Sequence, residues 1–204
     1  FATEKLSSRV LQTMPLETAS LAWAYFQVGD KEKASETYDT ALASAGPDFM
    51  AYTKIISDMV MTLGKEAVLE SAKARSAADP ENVEKLKVLV HLFQMSGQPD
   101  KALETCVRVE QLASRTGDTV FALVGQGMLL ESMDKLQESK AKYEAALKVD
   151  PDQSIALNNL AYLLAERLNQ PAEGLPYAKH AERANPMNAD VLDTLGWLLY
   201  LNNR

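Results

Sequence analysis

Few side chains here could do acid–base, nucleophilic or metal chemistry, and they are scattered. The sequence holds two histidines, His91 and His180, and one cysteine, Cys106. Neither histidine has a second His, Cys or carboxylate at metal-ligand spacing, so the pattern calls for no metal. Cys106 repeats the spacing of small core residues and reads as a buried small hydrophobe rather than a reactive thiol. Asp190 and Asp193 lie at a helix start, where carboxylates favour the helix dipole, and not as a catalytic pair. Gly125-Gln126-Gly127 lacks the third glycine and the preceding strand of a dinucleotide loop. Gly29-Asp30-Lys31 lacks the earlier glycine of a phosphate loop. No catalytic residue and no cofactor site is assigned, and the chain reads as a non-enzyme.

What remains is an architecture that presents a surface. The chain has 204 residues, 47% hydrophobic and 24% charged, with a formal net charge of −7. That balance argues against nucleic acid as partner, since phosphate binding draws on clustered Lys and Arg. No apolar run approaches the length of a membrane span, so no direct membrane insertion is expected. A single cysteine excludes an internal disulfide. Composition does not choose between cytoplasm and bacterial periplasm.

The strongest signal is a period. Ala156-Leu157-Asn158-Asn159-Leu160-Ala161-Tyr162-Leu163-Leu164-Ala165 is echoed by Val191-Leu192-Asp193-Thr194-Leu195-Gly196-Trp197-Leu198-Leu199-Tyr200, with Leu160 and Leu195 35 residues apart. Turn triplets recur at Val28-Gly29-Asp30, Leu63-Gly64-Lys65, Ser96-Gly97-Gln98, Met133-Asp134-Lys135, Leu168-Asn169-Gln170 and Asn202-Asn203-Arg204. Their middle residues are spaced 35, 33, 37, 35 and 34 apart. Gly, Asn and Asp tolerate the left-handed conformation that closes a helix. A period in the thirties with paired helices predicts an all-α, right-handed α-solenoid of stacked antiparallel helix pairs.

The second helix of most pairs carries small or aromatic residues at i, i+4, i+7. These are Ala34, Tyr38 and Ala41; Ala102, Cys106 and Val109; Ser139, Tyr143 and Ala146; and Gly174, Ala178 and Ala181. That spacing makes one helical face, and small residues on it let neighbouring helices approach closely. Most second helices end near a proline, at Pro47, Pro80, Pro151 and Pro186, because proline cannot continue a helix.

This set of residues resembles the tetratricopeptide repeat (TPR) family, whose pattern is a large residue, Leu-Gly or Leu-Ala, an aromatic, then Ala, an aromatic, Ala and Pro. Leu21-Ala22, Tyr25, Ala34, Tyr38 and Ala41 fit one repeat. Gly127, Leu130, Tyr143, Ala146 and Pro151 fit another. Leu157, Leu160-Ala161, Leu164, Ala181 and Pro186 fit a third. The last two repeats are similar to those of bacterial members, including lipoproteins of exopolysaccharide and protein-sorting (PEP-CTERM) systems.

Repeats are placed at 15–48, 49–82, 83–119, 120–153 and 154–188 of a single solenoid fragment. Residues 1–14 read as the second helix of a preceding repeat, and 189–204 as the first helix of a truncated one. Both ends would expose packing faces, which predicts flanking chain or self-association. Residues 49–79 depart from the pattern, with Val68, Ala72 and Arg75 fitting the second helix poorly. Residues 110–118 add about three residues and predict a longer second helix or a changed pitch. Pro176 predicts a late start or a kink in its helix.

The resemblance implies a concave groove lined by the first helices, binding a partner protein or peptide. Its groove positions map onto Trp23, Lys87, His91, Met128, Asn158, Asn159, Tyr162, Asp193 and Trp197. Some members clamp a C-terminal carboxylate with Lys and Arg on neighbouring first helices. Asn159 matches one clamp amide, but Asp190 and Thr194 stand where the bases would be. The resemblance therefore implies a basic or neutral peptide partner. Two other functions fit the same sequence: the substrate-recruiting arm of a larger enzyme such as a glycosyltransferase, and a self-assembling scaffold.

Overall fold

The computed structural model describes residues 14–45 and 49–203. Every regular element among them is helical. The chain divides into two compact units, one reaching Gln98 and one starting at Pro99. The helix expected over residues 3–13 and the helix end expected at Pro47 lie outside the described residues.

The first unit holds α1 (Pro15–Gln27), α2 (Lys31–Ala45), α3 (Phe49–Leu63), α4 (Lys65–Ala78) and α5 (Val83–Met95). Each helix packs on the next, and α3 also packs on α1 and α5. The second unit holds α6 (Pro99–Leu112), α7 (Thr116–Ser132), α8 (Leu136–Val149), α9 (Ser154–Tyr162), α10 (Pro171–Ala184) and α11 (Ala189–Asn202). A π-helical turn, Leu163–Arg167, continues α9. Successive helices of this unit pack together, and α9 also touches α7 and α11. First helices therefore neighbour first helices, as a stacked repeat requires.

The turns follow their chemistry. Gly29, Gly64, Gly97, Asp134 and Asn169 all have positive φ, between 54° and 87°. Each is the middle residue of a predicted triplet. In the sixth triplet Asn203 has φ −95° and caps α11 as Val28 caps α1, so the register there is shifted by one residue. Before each proline at 80, 151 and 186 the backbone leaves the helical region, with φ of −145° at Asp79, −136° at Asp150 and −147° at Asn185. The following helices start on side-chain caps. Asn82 accepts from the Lys85 amide, Gln153 from that of Ala156, and Asn188 from those of Asp190 and Val191.

All four second-helix faces are buried: Ala34, Tyr38 and Ala41; Ala102, Cys106 and Val109; Ser139, Tyr143 and Ala146; Gly174, Ala178 and Ala181. The irregular second repeat follows the same rule. Val68 and Ala72 are buried in α4, and Arg75 at the third position reaches Asp39 of α2 as an ion pair. Two polar ties brace α7, and a third links its neighbours α6 and α8. The Ser139 hydroxyl donates to the Gly127 carbonyl at 2.8 Å, while Gln126 at 2.6 Å and Lys142 at 3.3 Å both donate to Glu110.

One alternative in each of two expectations is corrected. The additional residues near 110–118 do not lengthen the second helix, since α6 stops at Leu112 after 14 residues. They lengthen the following first helix, α7, to 17 residues, and Arg115 Nε donates to the buried Asp118 at 2.7 Å to hold its start. Helix α10 does not start late. It begins at Pro171, where a missing amide costs nothing, and contains Pro176.

Close approach makes some helical glycines obligatory and leaves others idle. A Cβ on Gly127 would lie 2.6 Å from Cδ1 of the buried Tyr143 ring, whereas one on Gly196 meets nothing within 4 Å. Gly127→Ala is expected to destabilise the chain, because overpacking of roughly 1–3 kcal/mol exceeds a helix-propensity gain of about 1 kcal/mol. Gly196→Ala keeps only that gain, about 0.5–1 kcal/mol. Urea unfolding of both variants should give opposite signs.

Candidate functional site

The nine predicted surface residues fall into the two units, and each group has its own geometry. In the first unit Trp23 projects from α1 and is 53% exposed. It lines a cavity between α1, α2 and α3 together with Phe26, Tyr38, Asp58, Met61 and Thr62. The Tyr38 hydroxyl, on a ring 0% exposed, shares a 3.0 Å hydrogen bond with the Thr62 hydroxyl.

Lys87 and His91 sit elsewhere in that unit and are far less accessible. Lys87 is only 7% exposed, with Nζ 2.9 Å from Glu84 and 6.0 Å from the centre of the Tyr52 ring. His91 is half-buried, with its ring centre 5.4 Å from that of the same Tyr52. The shared partner is what brings α3 and α5 together here. Burial, helped by the Lys87 charge, pushes the His91 imidazole down to about 4. Burial raises the Tyr52 hydroxyl well above the usual tyrosine range.

In the second unit Met128, Asn158, Asn159, Tyr162, Asp193 and Trp197 lie on α7, α9 and α11. Met128, Tyr162, Asp193 and Trp197 are exposed, and the two asparagines are half-buried. The asparagines have separate jobs. Asn159 lies close to the Tyr143 hydroxyl, which donates to Glu131 at 3.1 Å and so ties α8 to α7. Burial, with the Glu131 charge beside it, pushes the Tyr143 phenol well above the usual tyrosine range. The Asn158 Oδ1 is buried without a hydrogen-bond partner. Trp197 donates its indole N–H to Glu166, one turn beyond Tyr162, and its ring centre lies 5.4 Å from that of Tyr200. Glu166, Trp197 and Tyr200 are thus linked from the π turn to α11, and the exposed Tyr162 ends α9 four residues before Glu166.

Sequence reading missed several members of these sites. Asp58, Met61 and Thr62 lie in the repeat whose pattern is irregular, so no surface positions were mapped onto it. Glu166 was hidden by the π turn, where Leu168 N–H bonds the Leu163 carbonyl at 3.0 Å and shifts the helical register. The Tyr143–Asn159 approach is between neighbouring repeats, and the alignment of each repeat with itself does not reveal it. Among the described residues no group of three His, Cys, Asp or Glu side chains could hold a metal ion, and no helix is long and apolar enough to cross a membrane. Cys106 is fully buried, as its spacing required.

Stacked antiparallel helix pairs closed by left-handed turns, with small residues on every second-helix face, define a tetratricopeptide-type fold. The chain carries tetratricopeptide repeats: models of that repeat match residues 19–46 and 124–189. A TPR repeat-containing protein of Pseudomonas aeruginosa is 26% identical over 186 residues, which is 87% of this chain but 31% of the relative's length. The chain thus spans about a third of that relative. A TPR protein of Thermus thermophilus superposes with a TM-score of 0.61 at 17% identity, covering 91% of this chain and 99% of its own. PilF of Pseudomonas aeruginosa gives 0.62 at 17% identity over 93% of this chain and 90% of its own. YrrB, described as a TPR protein with an unusual peptide-binding site, gives 0.59 at 20% identity over 94% and 95%. At these identities the structural likeness establishes the fold alone.

Two outcomes test the local electrostatics. The folded chain holds His91 below its unfolded value of about 6.5, so the unfolded state binds more protons between pH 6.5 and 4. Stability is therefore unaffected above pH 6.5 and falls as the pH drops towards 4, by roughly 3 kcal/mol in all. His91→Gln should remove that part of the slope when urea unfolding is compared at pH 7 and pH 4.5. Burial also pushes the Cys106 thiol up to about 12. Iodoacetamide at pH 8 should leave native Cys106 unmodified and alkylate it rapidly in urea.

Proposed function

We propose that the chain is a non-catalytic interaction module that holds a partner protein or peptide along the exposed face of α7, α9 and α11. The observation that carries this reading is the Tyr162–Trp197–Tyr200 strip beside Asn158. Large aromatic side chains supply contact area at low entropic cost. Asn158, half-buried one helical turn before Tyr162, adds a polar edge to that strip. Asn159, close to the Tyr143 hydroxyl, faces the packing of α8 in this reading. Met128 and Asp193 extend the face along α7 and α11.

Carboxylate-tail recognition is disfavoured by Asp190 and Asp193 on α11, which would repel such a terminus. The description of YrrB as peptide-binding supports a peptide as occupant, and the resemblance of the last two repeats to bacterial assembly proteins makes envelope components the first partners to test. Affinity capture from a bacterial lysate should retain a protein on the native chain. An Asn158→Ala, Tyr162→Ala variant with unchanged circular dichroism should lose at least ~90% of it, since two contacts of this kind are worth about 1–2 kcal/mol each. Equal capture by both forms would remove this face from the function.

A further inference from the structure

The cavity beside Trp23 has a chemistry distinct from the aromatic strip of the second unit. Its volume is about 400 Å³, within the range of built ligand sites. Trp23 and Phe26 from α1 and Met61 from α3 supply its apolar surface. Met61 is 84% exposed and stands at the rim. The polar members are Asp58 and Thr62 of α3 and Tyr38 of α2. Tyr38 and Thr62 satisfy each other, and the Thr62 hydroxyl also donates to the Asp58 carbonyl at 2.7 Å. The Asp58 carboxylate is different. It is half-buried, forms no ion pair among the described residues, and lies close enough to Tyr38 for its charge to help raise that hydroxyl.

A carboxylate partly withdrawn from water beside open aromatic surface is complementary to one class of group. A cation gains a charge-assisted hydrogen bond to the carboxylate and the attraction of the ring faces. Guanidinium fits best, because it is planar, weakly hydrated and able to stack while it donates. A net charge of −7 favours cationic over acidic segments at any face of the chain.

We infer that the Trp23–Phe26–Asp58 cavity receives an arginine side chain from an extended segment of the partner protein. This rests on the reading of the chain as a partner-binding module and assigns the first unit its own specificity, separate from the α9–α11 strip. Trp23 and Phe26 give the stem and the guanidinium plane a surface, and Asp58 selects the charge.

The test uses the full chain labelled with ¹⁵N and three blocked tripeptides, Gly-X-Gly, with X as arginine, citrulline or norleucine. Citrulline keeps the shape of arginine and removes its charge. The two tryptophans give two indole N–H signals, assigned by Trp197→Phe. The arginine peptide should move the Trp23 signal and leave that of Trp197 in place. It should bind about tenfold more tightly than the citrulline peptide, the change expected for one charge-assisted contact of about 1.4 kcal/mol. Asp58→Asn should abolish that preference, and Glu81→Gln, which removes an equal charge elsewhere in the unit, should keep it. Equal binding of arginine and citrulline at Trp23, or a preference that survives Asp58→Asn, would overturn the arginine assignment while leaving partner binding intact. A Trp23 signal that no peptide moves would show that the cavity is not a site, and lysate capture through the α9–α11 strip would still decide the broader reading.

Discussion

Close approach of backbones is the constraint on which the second unit rests. Gly127 of α7 lies against the Tyr143 ring of α8, and an added Cβ on Gly174 of α10 would come within 2.7 Å of the Ala161 carbonyl. A side chain at either point would push two helices apart and open the core on both sides. Because each pair in a stacked array contacts only its neighbours, such a gap would not be repaired elsewhere. The small residues at i, i+4 and i+7 are therefore the condition for stacking, and the large residue among them, Tyr143 or Tyr38, fills the space the small ones leave.

Those two tyrosines show how packing reaches the candidate surfaces. Both rings are fully buried, and each sends its hydroxyl to a first helix: Tyr38 to Thr62 on α3, Tyr143 to Glu131 on α7. Burying a phenol without a partner would cost on the order of 1–3 kcal/mol. The partner must therefore be present, and it lies beside a candidate site in each unit. Thr62 lines the Trp23 cavity, and Glu131 stands three residues after Met128 on α7. A side chain that sets helix spacing thus also meets residues at or next to the candidate surfaces.

Local chemistry explains which parts could be read from the sequence. The turns were legible because only residues tolerant of positive φ occupy them, and the second-helix faces because their spacing matches the helical repeat. The helix that absorbs the residues near 110–118 was not legible, since either neighbour could lengthen at similar local cost. The decision came from Arg115 and Asp118, whose hydrogen bond pins the start of α7. Lys87 and His91 were mapped as groove residues by position alone. Both approach Tyr52, Lys87 with its ammonium 6.0 Å and His91 with its ring centre 5.4 Å from the centre of that ring, a contact that position alone does not reveal.

The π turn makes the same point at the most populated candidate face. Its extra residue moves the 163–167 segment off the 3.6-residue register, so a helical wheel drawn from Ser154 misplaces Glu166. In the folded chain Glu166 instead receives the Trp197 indole N–H from the next first helix. Trp197 would otherwise be one exposed aromatic among several. Tied to Glu166 and lying against Tyr200, it loses rotamer freedom before any ligand arrives. Pre-ordering of that kind reduces the entropy lost on binding. In the proposed reading the tie that pre-orders Trp197 therefore depends on the π turn, the departure from helical periodicity that continues α9.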